Sequence, residues 1–229
     1  MSERPGQEMG EVYADLVVGA HRLALLRDGE QAFPAMLEAI RGARSTICLE
    51  TYILRSDRTG ERFAEALLER AAAGVEVNVI YDAWGSRVSS AYLRKLASGG
   101  VRTLAYHPIV FDGRLTRMLN RLVRRDHRKM LVVDHSVGFT GGLNIADDYA
   151  PTAEGGGGWR DTHLRLEGPA VLELLGYFLH NWRRQGGAPL DERRYVHEGR
   201  RPDPRVRILG NGPRRDRKFV RDAYLRAID

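Results

Sequence analysis

Apolar and polar positions follow two rhythms along this chain, and each change of rhythm marks a new element. Residues 21–27 alternate at every second position and residues 46–54 are rich in β-formers, which predicts two strands. Between them, residues 33–43 repeat their apolar positions at helical spacing. Residues 61–73 form a second helical pattern stopped by Gly74, and residues 75–81 a third strand. A third helix over 90–97 is closed by Gly99-Gly100, and a fourth strand follows at 101–106. The order β-α-β-α-β-α-β implies strands bridged by crossover helices.

Past Tyr106 the rhythm changes. Two apolar runs, 129–133 and 137–140, are three residues apart, which favours a hairpin. Residues 161–166 read as another strand, and 170–184 as a long helix after Gly168-Pro169. Residues 153–158 contain four consecutive glycines and are expected to be too flexible for regular structure, as a linker or a mobile lid.

At 229 residues and 43% hydrophobic content the chain can bury one sizeable α/β core or two small ones. Its single cysteine, Cys48, lies inside an apolar run; it can form no internal disulfide, fits a reducing compartment, and reads as a buried thiol. Residues 1–15 mix acids, glycine and proline where a signal peptide needs a basic and then an apolar run. No window approaches the roughly 20 apolar residues of a spanning helix, so any membrane contact is expected to be peripheral.

The net charge of +6 is unevenly placed, with 14 basic against 7 acidic residues from Asn181 onward. A basic tail suggests a polyanionic partner, anionic lipid or nucleic acid. The competing explanation is a general preference for arginine, since only Lys95, Lys129 and Lys218 are lysines. That preference makes the lysine at 129 the more telling residue.

Residues 127–134 read His-Arg-Lys-Met-Leu-Val-Val-Asp. In an extended run His127 and Lys129 point the same way, so a nucleophile and a phosphate-binding cation share one pocket. Asp134 is seven steps from His127 and falls on the opposite face, which suits a turn-fixing role better than direct catalysis. An attacking imidazole needs its other nitrogen held, and a carboxylate is the usual partner. Asp161 is nominated for that task, with Glu50 next, either as a partner or as a structural acceptor at the end of an apolar strand. His107, His135 and His163 have no lysine two positions later and no metal-ligand spacing, so they read as structural or surface groups, His163 being nearest the pocket.

The spacing H-x-K-x4-D from His127 to Asp134, Gly141-Gly142-Leu143-Asn144, Trp159-Arg160-Asp161-Thr162-His163 and Leu166-Glu167-Gly168-Pro169 resembles the phospholipase D superfamily, most closely the bacterial cardiolipin synthases. Glu50-Thr51-Tyr52, Gly74-Val75-Glu76-Val77 and Tyr81-Asp82-Ala83-Trp84-Gly85-Ser86 resemble the same family, and the likeness runs over residues 21–229. It implies an α/β fold, a phospholipase D-like α-β-α sandwich with a mixed β-sheet flanked by helices. It also implies a segment at 1–20, a catalytic domain at 21–185, and at 186–229 a basic linker leading into a second half. The implied activity is a phosphatidyltransferase that makes cardiolipin from phosphatidylglycerol through phospho-His127. Lys129 would clamp charge, Asn144 would be a neutral donor to phosphate, and Gly142 would leave room for phosphate at the backbone. No cofactor and no metal are called for; the implied partners are a phospholipid and an anionic membrane surface on its cytoplasmic side.

The chain departs from the family in one respect. The superfamily site combines two H-x-K-x4-D motifs, one histidine as nucleophile and the other as acid, and this sequence has one. Either it is a first half, or two copies assemble the site as a homodimer. Residues 218–229, which read like the helix that opens a second half, favour the former. A basic amphipathic stripe just upstream places Leu115, Met118, Leu119, Leu122 and Val123 against Arg114, Arg117, Arg121, Arg124 and Arg125. It lies in an anionic interface or packs on the domain. The alternative function is a phosphodiesterase on nucleic acid acting as a dimer, or an inactive half that binds polyanions. Residues 181–217 interleave no aromatics beyond Trp182 and Tyr195, so nucleic acid is the disfavoured partner.

Overall fold

Every residue of the strand Thr46–Thr51 is buried, as it must be in a strand covered by helices on both faces. The computed structural model describes residues 16–108, 125–195, 203–210 and 217–228. In chain order the elements are β1 (Leu16–Val18), β2 (His21–Arg27), α1 (Asp28–Arg41), β3 (Thr46–Thr51), α2 (Arg58–Ala72), β4 (Glu76–Asp82), α3 (Ser90–Ser98) and β5 (Arg102–Tyr106). Then follow β6 (Met130–Val133), β7 (Val137–Gly141), β8 (Thr162–Glu167), α4 (Val171–Arg184) and α5 (Arg217–Ile228). The stripe at 114–124 lies outside the described residues.

Eight strands form one mixed sheet in the order β1-β2-β8-β7-β6-β3-β4-β5. Residue parity sorts the core into two layers. Ile47, Leu49, Leu131, Val133 and Phe139 face α1 and α2, against Phe33, Met36, Ile40, Phe63 and Leu67. Cys48, Met130, Val132 and Leu166 face α4, against Leu174, Leu175, Phe178 and Trp182. The result is the α-β-α sandwich that the family resemblance implies. Short side chains start two of its helices: Asp57 accepts from Gly60 N at 2.9 Å, and Ser89 from Tyr92 N at 3.1 Å.

The crossover expectation holds for neighbours only in part. β3, β4 and β5 are adjacent and parallel, but β6, β7 and β8 stand between β3 and β2 as antiparallel strands. Two boundaries also move. α1 begins at Asp28 rather than 33, because Gln31 Oε1 accepts from Arg27 N at 2.8 Å and the Asp28 N–H donates to the Asp161 carbonyl at 2.8 Å. β3 ends at Thr51 rather than 54, where Leu54 leaves to form an isolated bridge with Ile145.

The four-glycine run is neither linker nor lid. The N–H groups of Gly155, Gly156, Gly157, Gly158 and Trp159 donate to the carbonyls of Thr152, Pro151, Asp147, Ala150 and Asp148, at 2.8 to 3.0 Å. A Cβ at Gly156 would stand 2.2 Å from the Ala150 carbonyl oxygen, so glycine is what allows the turn to close. The stretch beyond residue 185 also joins the core where it is described. Leu190, Tyr195, Val206 and Ile208 pack on the α4 layer, and Tyr195 Oη donates to Glu76 Oε1 at 2.7 Å.

Candidate active site

Strand alternation brings His127 and Lys129 together on the face that carries Leu131 and Val133. Lys129 is only 5% exposed. Its ammonium donates to the His127 carbonyl at 2.9 Å and lies 3.3 Å from His127 Nδ1. The Tyr52 ring, just past β3, packs 4.5 Å from the imidazole, with Lys129 Nζ 5.3 Å from its centroid.

Burial sets the electrostatics here. It pulls the Lys129 ammonium down to about 8 from 10.5, and the carboxylates of Asp161 and Asp126 restore only part of the difference. His127 is lowered too, by burial and then by Lys129, against the opposing pull of Asp126 and Asp82.

The other nominated residues divide by location. Asp161 accepts from its neighbour Thr162 N at 2.7 Å, and its carboxylate fills the space where a Cβ on Gly142 would stand. The room expected over Gly142 for phosphate is therefore taken by Asp161, which acts on Lys129 through charge and makes no hydrogen bond to His127 among the described residues. Asn144 is buried; its Oδ1 accepts from Ile53 N at 3.0 Å and its Nδ2 donates to Tyr149 Oη at 2.6 Å, which leaves one amide proton for a ligand. Asp134 stands at the far end of β6, in a hairpin turn at φ 47°, and accepts from the N–H groups of Arg44, Ser45 and Thr46 at 2.7, 2.8 and 2.9 Å. It ties the α1–β3 connection to the hairpin.

Glu50 pairs with Met130, not Lys129, and so lies on the opposite face of the sheet. There Asn181 Nδ2 donates to both Glu50 Oε1 and Asp126 Oδ2 at 2.7 Å, and Arg128 Nη1 reaches Glu50 Oε1 at 3.3 Å. Burial, and then the neighbouring Asp126, push the Glu50 carboxyl well above the usual range. Glu50 is thus a member of a buried acid cluster behind the motif rather than a partner of His127.

Sequence reasoning gave no role to Asp126, Asp82 or His163. The Asp126 N–H donates to Asp82 Oδ2 at 3.1 Å, and Asp82 Oδ1 also accepts from Trp84 N and Gly85 N at 2.9 Å each. This chain of bonds fixes the approach to His127. His163, read as a structural or surface group and as the nearest of the three histidines to the pocket, is 1% exposed and neither ring nitrogen has a hydrogen-bond partner. Burial, followed by the Lys129 ammonium, holds it down at about 4. The signal in the sequence was its place two residues after Asp161 on a strand, but alternation alone does not say which face is buried.

Solved structures with the same fold include Nuc from Salmonella typhimurium (TM-score 0.51, 17% identity, 72% of this chain and 93% of that one) and NucT from Helicobacter pylori (TM-score 0.54, 15% identity, 73% and 99%). In sequence, the chain is 37% identical over 216 residues to a cardiolipin synthase of Geobacillus thermodenitrificans, covering 91% of this chain and 42% of that protein. It is 34% identical over 211 residues to cardiolipin synthase 1 of Bacillus anthracis, covering 88% and 41%. The chain thus spans about two fifths of the length of these relatives. Residues 36–151 match the family described as cardiolipin synthase, PLD-like domain, and this chain belongs to that family.

Proposed function

We propose that this chain supplies one half-site of a phosphatidyltransferase that makes cardiolipin from phosphatidylglycerol at the cytoplasmic face of an anionic membrane. The pairing of a buried ammonium with the His127 imidazole at 3.3 Å, in a chain of this family, is the observation that carries the reading. Lysine only donates, so this contact makes Nδ1 an acceptor and leaves the imidazole proton on Nε2. Attack through Nε2 begins when an incoming phosphodiester draws the ammonium away and Nδ1 takes the proton, with the charges of Asp126 and Asp82 favouring the protonated ring. The Nε2–P bond forms, the bond from phosphorus to glycerol oxygen breaks, and the departing oxygen takes a proton from an acid on a second motif. The hydroxyl of a second phosphatidylglycerol then attacks the phosphohistidine and returns a proton to that acid, releasing cardiolipin.

The second motif comes from a second half or a second copy. Tyr224, Leu225 and Ile228 on α5 are exposed, an apolar surface that such a partner would cover. No helix among the described residues is long and apolar enough to cross a membrane, which is compatible with peripheral attachment.

The test is to incubate the chain with vesicles of labelled phosphatidylglycerol, and separately with labelled single-stranded DNA, across protein concentrations with the mass followed by light scattering. Cardiolipin and glycerol should appear only where a second motif is supplied, and His127→Ala should yield neither product nor a trapped phosphatidyl-histidine. Full activity in a strictly monomeric sample would overturn the two-histidine mechanism. Cleaved DNA without lipid transfer would overturn the substrate.

A further inference from the structure

Three strands set Lys129 and His163 on one face of the sheet, with Gly141 between them. β6 and β7 pair Met130 with Thr140, so one step back Lys129 stands beside Gly141; β7 and β8 pair Gly141 with His163. Residues in such a row share a face, and the middle one has no side chain. The His163 ring occupies the place a side chain on Gly141 would take, since a Cβ there would stand 2.7 Å from His163 Nδ1 and 2.4 Å from the Thr162 carbonyl oxygen. The imidazole therefore points along the row toward Lys129, and the ammonium is the charge that acts on it.

Both ring nitrogens of His163 are enclosed and unpartnered. Buried polar groups are rarely left so, since each costs about as much as a lost hydrogen bond. Lys129, by contrast, spends its donors on His127.

We propose that the Lys129 ammonium and the His163 ring form a phosphoryl-oxygen subsite, in which a non-bridging oxygen of the substrate phosphodiester draws the ammonium off His127 and binds between it and an N–H of His163. This rests on the reading of His127 and Lys129 as the phosphate-handling pair, and adds His163 as a direct phosphate ligand. A neutral imidazole suits the position: it donates one hydrogen bond without bringing a second full positive charge beside Lys129. Its value of about 4 keeps it neutral through the physiological range.

The probe is inorganic phosphate, titrated into the chain with its histidine rings labelled with ¹⁵N. In the wild-type chain the His163 ring nitrogens should shift saturably, with the same midpoint as His127. His163→Leu should weaken phosphate binding by about tenfold or more, the worth of a hydrogen bond to a charged group, and His163→Gln, which keeps a donor, should recover most of it. Should the leucine variant fail to fold, the wild-type shift and the glutamine variant still decide. Wild-type binding that depends on Lys129 but leaves His163 unshifted would overturn this inference and leave the reading of His127 and Lys129 intact; it would mean that a buried water serves the ring. Absence of any phosphate binding that Lys129→Met abolishes would overturn both.

Discussion

Replacing Lys129 by methionine should stabilise the protein while removing its chemistry. The ammonium is 5% exposed and held at about 8 against an ordinary 10.5. At about 1.4 kcal/mol per pKa unit, the charged form is buried at a cost of about 3 kcal/mol. Methionine has a similar length and no charge, and forfeits two hydrogen bonds, to the His127 carbonyl and to its Nδ1, worth about 1 kcal/mol each. The expected gain near neutral pH is therefore about 1 kcal/mol. The pH dependence identifies the cause. Because the folded value lies below the unfolded one, the unfolded chain holds the extra proton between them, and wild-type stability rises with pH through that window. From pH 7 to pH 9 this one group adds about 1.4 kcal/mol to the wild type and nothing to the variant, so the advantage of the variant disappears over that interval. Cys48, pushed up to about 12 by burial, works in the opposite direction but equally in both proteins. Urea unfolding at the two pH values, followed by tryptophan fluorescence, measures the difference. A variant less stable than wild type at pH 7, or an advantage that does not change with pH, would refute the account of an uncompensated charge.

Three further outcomes follow from the geometry. Asp134→Ala removes an acceptor shared by three backbone N–H groups and should cost about 2–4 kcal/mol in urea unfolding; a change under half a kilocalorie would deny the clamp. Glu50 has a raised folded value, so its contribution is complete below the ordinary carboxylate range and falls away as pH rises through the folded value. Glu50→Gln should flatten stability as pH rises above the ordinary carboxylate range, and an unchanged profile in thermal unfolding would show that Glu50 is not the group responsible. Gly156→Ala should lower stability by about 1–3 kcal/mol through the clash with Ala150, whereas a flexible linker would tolerate it.

The parts of the site legible in the sequence are those fixed by local periodicity. Two-residue alternation places His127 beside Lys129, and the odd count to Asp134 sends that carboxylate to a turn. The same rule puts Glu50 on some face of β3, but which face depends on its register with Met130, eighty residues away in the chain. The burial of His163 likewise depends on Gly141 standing opposite it, a non-local fact. Four glycines in a row look flexible because local propensity is silent about the carbonyls of Asp147, Asp148, Ala150 and Pro151 that close the turn. The early start of α1 also depends on a distant partner, the carbonyl of Asp161.

The position of β6 in the sheet has its own consequence. Residues 46–106 form one parallel block, and β6, β7 and β8 form an antiparallel block that reaches back to β2; the two meet only where β3 pairs with β6. At this seam the chain leaves β3 toward α2, while it enters β6 at the same end from the other direction. Two segments diverge from a shared edge there, and His127, Lys129 and Tyr52 meet at that point. Open α/β sheets place ligands where neighbouring connections part in this way, so the location of the chemistry was settled by the path of the backbone before any particular side chain was chosen.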